Sequence, residues 1–515
     1  MRLFFCRSVL SSIFALKIFF DTYSINKTVA NAATVVCLVF GIGYGDIMKK
    51  TKIICTLGPS SCDIETVSAM ADAGMNVARL NFSHGTHEEH AARIAIVKQV
   101  REAKKMPIAI LLDTKGPEFR IGTFADGKIK LKKGDRFSFT PEEIEGTRSR
   151  VSVTYKKITS VMKKGDKILL NNGLMIFTVD NVTEKDVECI VEVGGELSGR
   201  KSMFFPDKQL ELDFLSENDK KDLLFGIEQG VDYIALSFVS NANDVIDVKN
   251  FLKANGGEKI EVIAKIESRT GVNNLSAIMK EADGIMVARG DLGVEIPFEE
   301  LPDVQKNMIN ECRIYGKRVI TATEMLESMI HNPRPTRAEI SDVANAVYDG
   351  TSAVMLSGET AAGEYPVRAV ETMAKIVERA ENHEEYIQLI DNFAIKTPGE
   401  ALSHAASLLA KDLNAKAIVV CTRTGLTARM VSRFRPNIPI IGLTTDERAY
   451  QKLALSWGVF PFKAEEYGSV DVLFYFAKIA AQKSGFLKRG DKIVITGGTP
   501  NGKSGNTNLI CVETL

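Results

Sequence analysis

The chain has 515 residues, of which 45% are hydrophobic and 25% charged, a composition suited to about three soluble domains. Lys and Arg together number 65, as do Asp and Glu, so the formal net charge is zero. This balance argues against a nucleic-acid-binding protein. The 8 cysteines form no CxxC pair, which argues against a zinc knuckle or a disulfide framework and favours a reducing, cytoplasmic compartment.

Residues 1–47 differ in composition from the rest of the chain. Their two apolar stretches resemble a weak signal sequence, but they lack a convincing cleavage site, and the second is short for a membrane span. The segment has three interpretations: a targeting signal, a membrane anchor, or sequence upstream of a true start at Met48. We favour the start at Met48, which leads directly into the first globular strand, and we expect no stable membrane association.

From Thr51 onward an apolar run, a polar cluster and a helical stretch recur in turn. Alternating strands and helices predict parallel strands with right-handed crossovers, and eight such units predict a (β/α)8 TIM barrel within an α/β fold. The predicted strands are Lys52–Leu57, Asn76–Phe82, Ile108–Asp113, Tyr233–Phe238, Val262–Ile266, Ile285–Ala288, Arg318–Ala322 and Ala353–Leu356. In this fold active sites lie at the carboxyl ends of the strands, where the polar clusters fall.

The barrel pattern is interrupted after the third strand. Residues 118–215 contain short alternating stretches separated by Gly-Asp and Asn-Asn-Gly turns, which predict an inserted all-β lid domain. The barrel, begun over residues 48–117, resumes at the predicted helix cap Ser216 and continues to residue 385. Residues 386–515 predict a C-terminal α/β domain, with strands at Ala417–Cys421, Ile438–Leu443, Lys492–Thr496 and Leu509–Val512.

Two predicted strands end in charged residues. Side chains in a strand alternate between faces, so Lys265 and Glu267 point the same way. Asp291 follows the next predicted strand. Two carboxylates beside a lysine can hold a divalent cation near a fixed positive charge, the combination that phosphate-handling sites need. A buried ion pair within the core is the alternative interpretation.

The second and third strands carry a further polar set. Arg79, Asn81 and Ser83 share one face of the second strand, and the third strand ends in Asp113 and Thr114. Four of these residues offer hard oxygen donors, which predicts a site for a monovalent or divalent cation.

Six strings of residues resemble pyruvate kinase, in the order of that family and over the chain from about Thr51 to the C-terminus. They are Asn76-Val-Ala-Arg-Leu-Asn-Phe-Ser-His-Gly85, Leu111-Leu-Asp-Thr-Lys-Gly-Pro-Glu118, Ala264-Lys-Ile-Glu267, Met286-Val-Ala-Arg-Gly-Asp-Leu-Gly293, Asn332-Pro-Arg-Pro-Thr-Arg-Ala-Glu339 and Met355-Leu-Ser-Gly-Glu-Thr360. The resemblance implies a glycolytic enzyme that transfers phosphoryl from phosphoenolpyruvate to ADP, giving pyruvate and ATP. It also implies a mobile lid and a homotetramer.

The resemblance assigns roles to individual residues. It implies that Lys265, Arg79 and Thr323 are catalytic, and that these three, together with Gly290 and Asp291, contact the substrate. It implies that Glu267 and Asp291 bind Mg2+ (or Mn2+), and that K+ is bound by Asn81, Ser83, Asp113 and Thr114. It also implies that Arg120 and Lys201 contact the nucleotide. Glu118 follows Gly-Pro, as in potassium-dependent members. The chain departs from the family in having Glu324 where glutamine is expected, and serine after Lys201 where glycine is expected.

A candidate effector loop joins the first C-terminal strand to a helix. Hydroxyls, a glycine and an arginine at a helix N-terminus can bind phosphate, and the loop at residues 497–505 could cover them. The corresponding region of the family binds a sugar-phosphate activator, which implies an allosteric enzyme, whereas a plain capped turn is the alternative. The predicted effector residues are Thr422, Arg423, Thr424, Gly425 and Thr427.

Two other functions compete with this interpretation. A Mg2+-dependent barrel lyase or aldolase acting on pyruvate-like substrates could use a similar acidic pair, although it would need neither Arg79 nor the potassium set nor a lid. A non-catalytic phosphometabolite-binding protein would leave the charged strand ends unexplained.

Overall fold

The computed structural model describes residues 49–206, 208, 214–383, 393, 395–499 and 507–515. Its centre is a closed barrel of eight parallel strands, in which each strand pairs with its neighbours in sequence and the last pairs with the first. The strands are Lys52–Thr56, Val77–Asn81, Ala109–Asp113, Tyr233–Leu236, Glu261–Ile266, Gly284–Ala288, Arg318–Ala322 and Ala353–Leu356. The predicted (β/α)8 barrel is therefore confirmed.

Helices surround the barrel and bury one apolar face against the outer side of its strands. The long ones are Ile64–Asp72, His87–Lys104, Glu217–Gln229, Ala242–Ala254, Leu301–Tyr315, Arg337–Tyr348 and Pro366–Glu381. Short helices are Arg269–Asn273, Leu275–Glu281, Arg289–Glu295 and Gly358–Ala361, with 3-10 turns at Pro59–Ser61, Phe298–Glu300 and Glu327–Ile330. Ser216 caps its helix in a capping box with Asp219, as predicted.

The interior of the barrel is filled with apolar side chains and is closed at one end by residues of the C-terminal part of the chain. Ile54, Tyr233 and Met286 belong to an apolar cluster inside the strands that also includes Ala454 and Leu455 from the C-terminal part of the chain. The Tyr233 hydroxyl donates a 2.6 Å hydrogen bond to a carbonyl beside this plug, that of Lys452. The amino ends of the strands are thus closed, and the carboxyl ends remain for a site.

The insertion after the third barrel strand is almost entirely β. A six-stranded sheet has the order Met203–Phe204, Lys167–Leu170, Met175–Val182, Val187–Val193, Arg136–Thr140 and Arg150–Ser152. A smaller sheet pairs Gly195–Ser198 with Lys128–Leu131, and the short helix Ile158–Val161 lies between strands. The insertion has its own core, in which Phe137, Phe139 and Phe177 make edge-to-face or tilted contacts.

The C-terminal part forms a five-stranded sheet with helices. Its strand order is Val459–Lys463, Ile440–Thr444, Ala417–Cys421, Lys492–Gly497 and Leu509–Thr514, with only the last strand antiparallel. The helices are Pro398–Asp412, Leu426–Ser432, Glu447–Lys452 and Val470–Lys483, and the 3-10 turn Leu453–Leu455 carries the barrel plug. Across the described residues, none of the helices is long and apolar enough to cross a membrane.

Candidate active site

Arg79 is held across the ends of three adjacent barrel strands. Its Nε lies 2.7 Å from Asp113 Oδ2, and its Nη1 donates a 2.8 Å hydrogen bond to Thr56 Oγ1. Burial would raise the pKa of Asp113, but Lys265 and Arg79 outweigh it and hold that pKa below its ordinary value. The arginine is therefore fixed in the barrel mouth beside an ionised carboxylate.

Lys265 lies at the centre of the same network. Its Nζ is 3.1 Å from Asp113 Oδ1 and 2.9 Å from Glu267 Oε1, and it donates a 2.6 Å hydrogen bond to Ser237 Oγ. Burial would lower the pKa of Lys265, but the two carboxylates hold it above its ordinary value. A protonated ammonium group is thus kept in a nearly dry position at the carboxyl ends of the strands.

The negative charge of the acidic pair Glu267 and Asp291 is only partly balanced by nearby positive charge. Burial, with a further contribution from Asp291, raises the pKa of Glu267 to about 7, and burial also raises that of Asp291. Both shifts have the same physical cause, since two neighbouring carboxyl groups are buried together and Lys265 offsets only part of their charge. The amide of Phe238, a residue with φ of 58°, donates to Glu267 Oε2 at 2.6 Å and orients it.

This pair is suited to a hard divalent cation that takes its remaining ligands from water or substrate. The described residues contain no group of three or more His, Cys, Asp or Glu side chains placed to hold a metal. Mg2+ usually keeps several such outside ligands, so two protein carboxylates suffice.

The four residues predicted to bind K+ lie on neighbouring strand ends. Asn81 and Asp113 are direct partners in the parallel register, and the amide of Ser83 donates to Asn81 Oδ1 at 3.1 Å. The carbonyl of Thr114 accepts a 2.6 Å hydrogen bond from Ser237 Oγ. The set thus combines one carboxylate with neutral oxygens, although Asp113 is shared with Arg79 and Lys265.

Thr323 directly follows the strand Arg318–Ala322, two strands along the barrel from the one that carries Lys265, and lies on a strained loop. Thr323 and Glu324 both adopt the left-handed region, with φ of 66° and 54°. The Thr323 hydroxyl accepts a 2.7 Å hydrogen bond from the Gly290 amide and donates to the Ala322 carbonyl at 2.6 Å. A substrate carboxylate would therefore compete with Thr323 for the Gly290 amide.

Sequence reasoning missed the residue that holds this loop. Both terminal nitrogens of Arg289 lie 2.7 Å from the carboxylate oxygens of Asp342, and Nη2 donates to the Thr323 carbonyl at 2.7 Å. A bidentate pair of this kind fixes the plane of the guanidinium group. Arg289 adjoins the predicted Gly290 and Asp291, but nothing local in the sequence indicates a partner 53 residues away.

The predicted nucleotide-binding residues lie at the root of the insertion. Arg120 pairs opposite Ser202, and its Nε donates to Glu118 Oε2 at 2.8 Å, while the Lys201 carbonyl accepts from the Ile121 amide at 3.0 Å. A cavity of about 350 Å3 opens here between the insertion and the barrel. Its wall includes aromatic side chains from both parts, among them Phe119, Phe204, Phe205, Phe214 and Phe238.

The predicted effector residues are divided between two sides of their loop. Gly425 has φ of 87°, and its amide donates to Thr422 Oγ1 at 3.0 Å, which is a capped turn. The hydroxyl of Thr427 lies 2.8 Å from that of Thr507, whereas Arg423 and Thr424 are exposed on the barrel side. Residues 500–506 of the predicted covering loop lie outside the described residues.

The family models and the curated relatives that match this chain all belong to one family. The family model "Pyruvate kinase, barrel domain" matches residues 48–370, and "Pyruvate kinase, alpha/beta domain" matches residues 400–513. The chain is 44% identical over 476 residues to a pyruvate kinase of Clostridium acetobutylicum, covering 91% of this chain and 100% of that protein. It is 46% identical over 472 residues to one of Geobacillus stearothermophilus, covering 91% and 80%. Because these matches span most of its length, the chain belongs to the pyruvate kinase family.

Proposed function

We propose that this chain transfers the phosphoryl group of phosphoenolpyruvate to ADP, giving pyruvate and ATP in the last step of glycolysis. The observation that carries the proposal is the convergence of Arg79 and Lys265 at the barrel mouth beside the Glu267–Asp291 pair. Both substrates are polyanions, so the main barrier is to bring negative charges together. Cations held in place before the substrates bind lower that barrier.

Each basic group has a separate task in this proposal. The hydrogen bonds from Arg79 to Asp113 and Thr56 fix its guanidinium plane, and its remaining donors serve the phosphate of phosphoenolpyruvate. Lys265 offsets the charge that develops on the transferring group. Its contacts with Asp113 and Glu267 keep it protonated and aimed without the cost of reorganisation during the reaction.

Glu267 and Asp291 would hold Mg2+ (or Mn2+), and Asn81, Ser83, Asp113 and Thr114 would hold K+. A divalent cation held by these carboxylates would supply positive charge that offsets the charge of the anionic substrates. The raised pKa of Glu267 supports this assignment, because it reflects a buried carboxylate pair with too little positive charge around it. In this proposal Thr323, which adjoins Glu324, delivers the last proton to the enolate carbon together with water.

A coupled assay for pyruvate formed from phosphoenolpyruvate and ADP tests the function directly. We expect pyruvate and ATP in equal amounts, with no reaction when ADP is omitted. Failure to consume phosphoenolpyruvate, with carbon–carbon bond cleavage of a pyruvate-like substrate instead, would favour a barrel lyase or aldolase. Substrate binding without any product would favour a phosphometabolite-binding protein, and either result would overturn the proposal.

Potassium dependence is the first further prediction. The neutral oxygens at the strand ends support a K+ site, so replacing K+ by tetramethylammonium should lower turnover by at least tenfold, while Na+ restores it only in part. The measurement is initial rate against monovalent cation concentration at constant ionic strength. Full activity in the absence of K+ would refute the assignment of Asn81, Ser83, Asp113 and Thr114.

The Arg289–Asp342 pair gives a second prediction. Asp342→Asn keeps the shape of the side chain but removes the charge that anchors Arg289, and so loosens the loop of Thr323. We expect kcat to fall about tenfold with KM nearly unchanged, because misplacement acts on the reacting geometry. Asp303→Asn, an exposed change on a neighbouring helix, is the control. A kcat equal to that of the unaltered chain would contradict the positioning role.

We also propose that Arg120 and Lys201 contact the nucleotide, that the chain forms a homotetramer, and that a sugar phosphate acts at Thr422–Thr427. The polar capped turn at Gly425 supports the effector assignment. Adding fructose 1,6-bisphosphate should shift the phosphoenolpyruvate saturation curve to lower concentrations. An unchanged curve would count against that effector.

A further inference from the structure

A buried serine lies between the candidate K+ site and Lys265. Ser237 follows the strand Tyr233–Leu236, which pairs on one side with the strand that ends at Asp113 and on the other side with the strand that carries Lys265. The residue is only 2% exposed to solvent. Because a buried hydroxyl must find its partners within the protein, its hydrogen bonds show what it does.

The hydroxyl of Ser237 joins two parts of the site. It donates a 2.6 Å hydrogen bond to the Thr114 carbonyl and accepts a 2.6 Å hydrogen bond from Lys265 Nζ. The Ser237 amide donates to the Thr114 hydroxyl at 3.3 Å. Both oxygens that Thr114 could offer to a cation are therefore in contact with Ser237. Since a hydroxyl has a single proton and the carbonyl takes it, a lone pair is left for the lysine.

Lys265 Nζ has three partners among the described residues, which matches the three donors of an ammonium group. Two of them are carboxylates, Asp113 at 3.1 Å and Glu267 at 2.9 Å. In the proposed function each of these carboxylates also holds a cation, which weakens its attraction for the lysine because its charge is then shared. Ser237, the third partner, is uncharged, so its contact with Lys265 does not weaken in this way.

The link between Ser237 and Thr114 is rigid. The main chain joins the two segments as well, since the Thr114 amide donates to the Ala235 carbonyl at 2.9 Å. Gly116, with φ of 67°, packs directly on the serine, and a side-chain carbon there would lie 2.8 Å from Ser237 Cβ. A change at Thr114 is therefore passed to Ser237 with little slack. Small displacements of a catalytic group have large effects on rate.

We propose that Ser237 is a positioning residue that places Lys265 when the cation sites are filled. The inference rests on the proposed function, because it concerns the same phosphoryl transfer. With K+ at Thr114 and Asp113, the lysine is held less by Asp113 and is aligned by the Ser237 hydroxyl toward the transferring group. With that site empty, Asp113 retains the lysine and turnover is lower. Occupancy of the K+ site is thereby coupled to the position of the catalytic lysine.

Initial rates at varied K+ concentration and constant ionic strength give the first test. In the unaltered chain K+ should raise turnover by about tenfold or more, whereas in Ser237→Ala the rise should be about threefold or less. The matched control is Ser403→Ala, a buried serine of the C-terminal part whose hydroxyl donates to the Gly399 carbonyl at 2.7 Å, and it should keep the full K+ response. Ser237→Cys keeps a weak S–H donor. It should retain more of the response than Ser237→Ala, and it serves if the alanine variant fails to fold.

Crystals grown with and without Tl+ give a second test that needs no turnover. Tl+ is an analogue of K+ that is located by its anomalous X-ray scattering, and we expect it at Thr114 in both the unaltered chain and Ser237→Ala. In the unaltered chain, Tl+ should lengthen the 3.1 Å distance from Lys265 Nζ to Asp113 Oδ1, while the contact with Ser237 stays within hydrogen-bond distance. In the variant with Tl+ bound, Lys265 should lack a single fixed position.

The two tests distinguish failure of this inference from failure of the proposed function. Full K+ activation in a folded Ser237→Ala variant would overturn the inference and leave the function in place, as would a Lys265 position that does not respond to Tl+. Loss of Tl+ from Ser237→Ala would also overturn it, because Ser237 would then only support the cation site. Absence of pyruvate formation by the unaltered chain would instead overturn the proposed function, and the Tl+ crystals would still decide what places Lys265.

Discussion

Replacement of Lys265 by methionine is expected to lower turnover by about 10²–10³-fold or more, the largest effect predicted for this chain. Methionine nearly matches the length of lysine but removes the charge from Nζ, which lies 2.9 Å from Glu267 and 3.1 Å from Asp113. The transferring phosphoryl group then loses its nearest fixed cation. Steady-state rates of pyruvate formation at saturating substrates measure this loss.

Two controls separate chemistry from folding in the Lys265→Met variant. Nucleotide affinity should stay within about twofold of the unaltered chain, because Arg120 and Lys201 lie on the inserted lid. Ser237→Ala removes only one acceptor of Lys265 and should cost about tenfold or less, since it leaves the charge in place. Near-normal turnover in a folded Lys265→Met variant would reject the proposed role.

The second large effect is expected at the acidic pair. Glu267→Gln keeps the size of the side chain and an acceptor for the Phe238 amide, but removes one of the two carboxylates proposed to hold the divalent cation. The Mg2+ concentration that gives half-maximal activity should rise at least tenfold, and turnover at saturating Mg2+ should fall by about 10². Activity against Mg2+ concentration, with Mn2+ binding followed by electron paramagnetic resonance, measures both effects.

Glu299→Gln, an exposed change in the loop after the Asp291 helix, is the matched control and should leave the Mg2+ curve unchanged. Should Glu267→Gln keep the Mg2+ requirement of the unaltered chain, the carboxylate pair has a structural role only. The metal assignment would then be wrong even if the enzyme remained a phosphotransferase.

The barrel could be predicted from the sequence because its strands are continuous apolar runs with polar ends. Predicted and observed strand limits differ by at most two residues, as at Tyr233–Leu236, which is shorter than expected. The missed strands lack that pattern. Gly195–Ser198 and Met203–Phe204 are short, with four and two residues. Val459–Lys463 contains Pro461, which is compatible with the edge of a sheet but not typical of a strand.

The site residues that lie on strand faces could be predicted from strand periodicity. Those whose positions depend on partners far away in the sequence could not. Arg79, Asp113, Lys265 and Glu267 meet because parallel strands end at the same rim of the barrel. Ser237, which links Lys265 to Thr114, lies within a predicted strand but has no chemical signature of its own. The left-handed conformations of Phe238 and Thr323 are likewise imposed by tertiary contacts.

The plug formed by Ala454 and Leu455 makes the barrel dependent on the segment that follows it. A fragment ending after the Pro366–Glu381 helix would lack Ala454 and Leu455 at the amino ends of the barrel strands. Ile54, Tyr233 and Met286 would then be exposed to water. Such a fragment should aggregate, so the catalytic half cannot be produced as an independent unit. By the same reasoning, a chimera that joins this barrel to the C-terminal sheet of a relative must keep the turn Leu453–Leu455 of this chain. That turn matches the volume of the barrel interior that it fills.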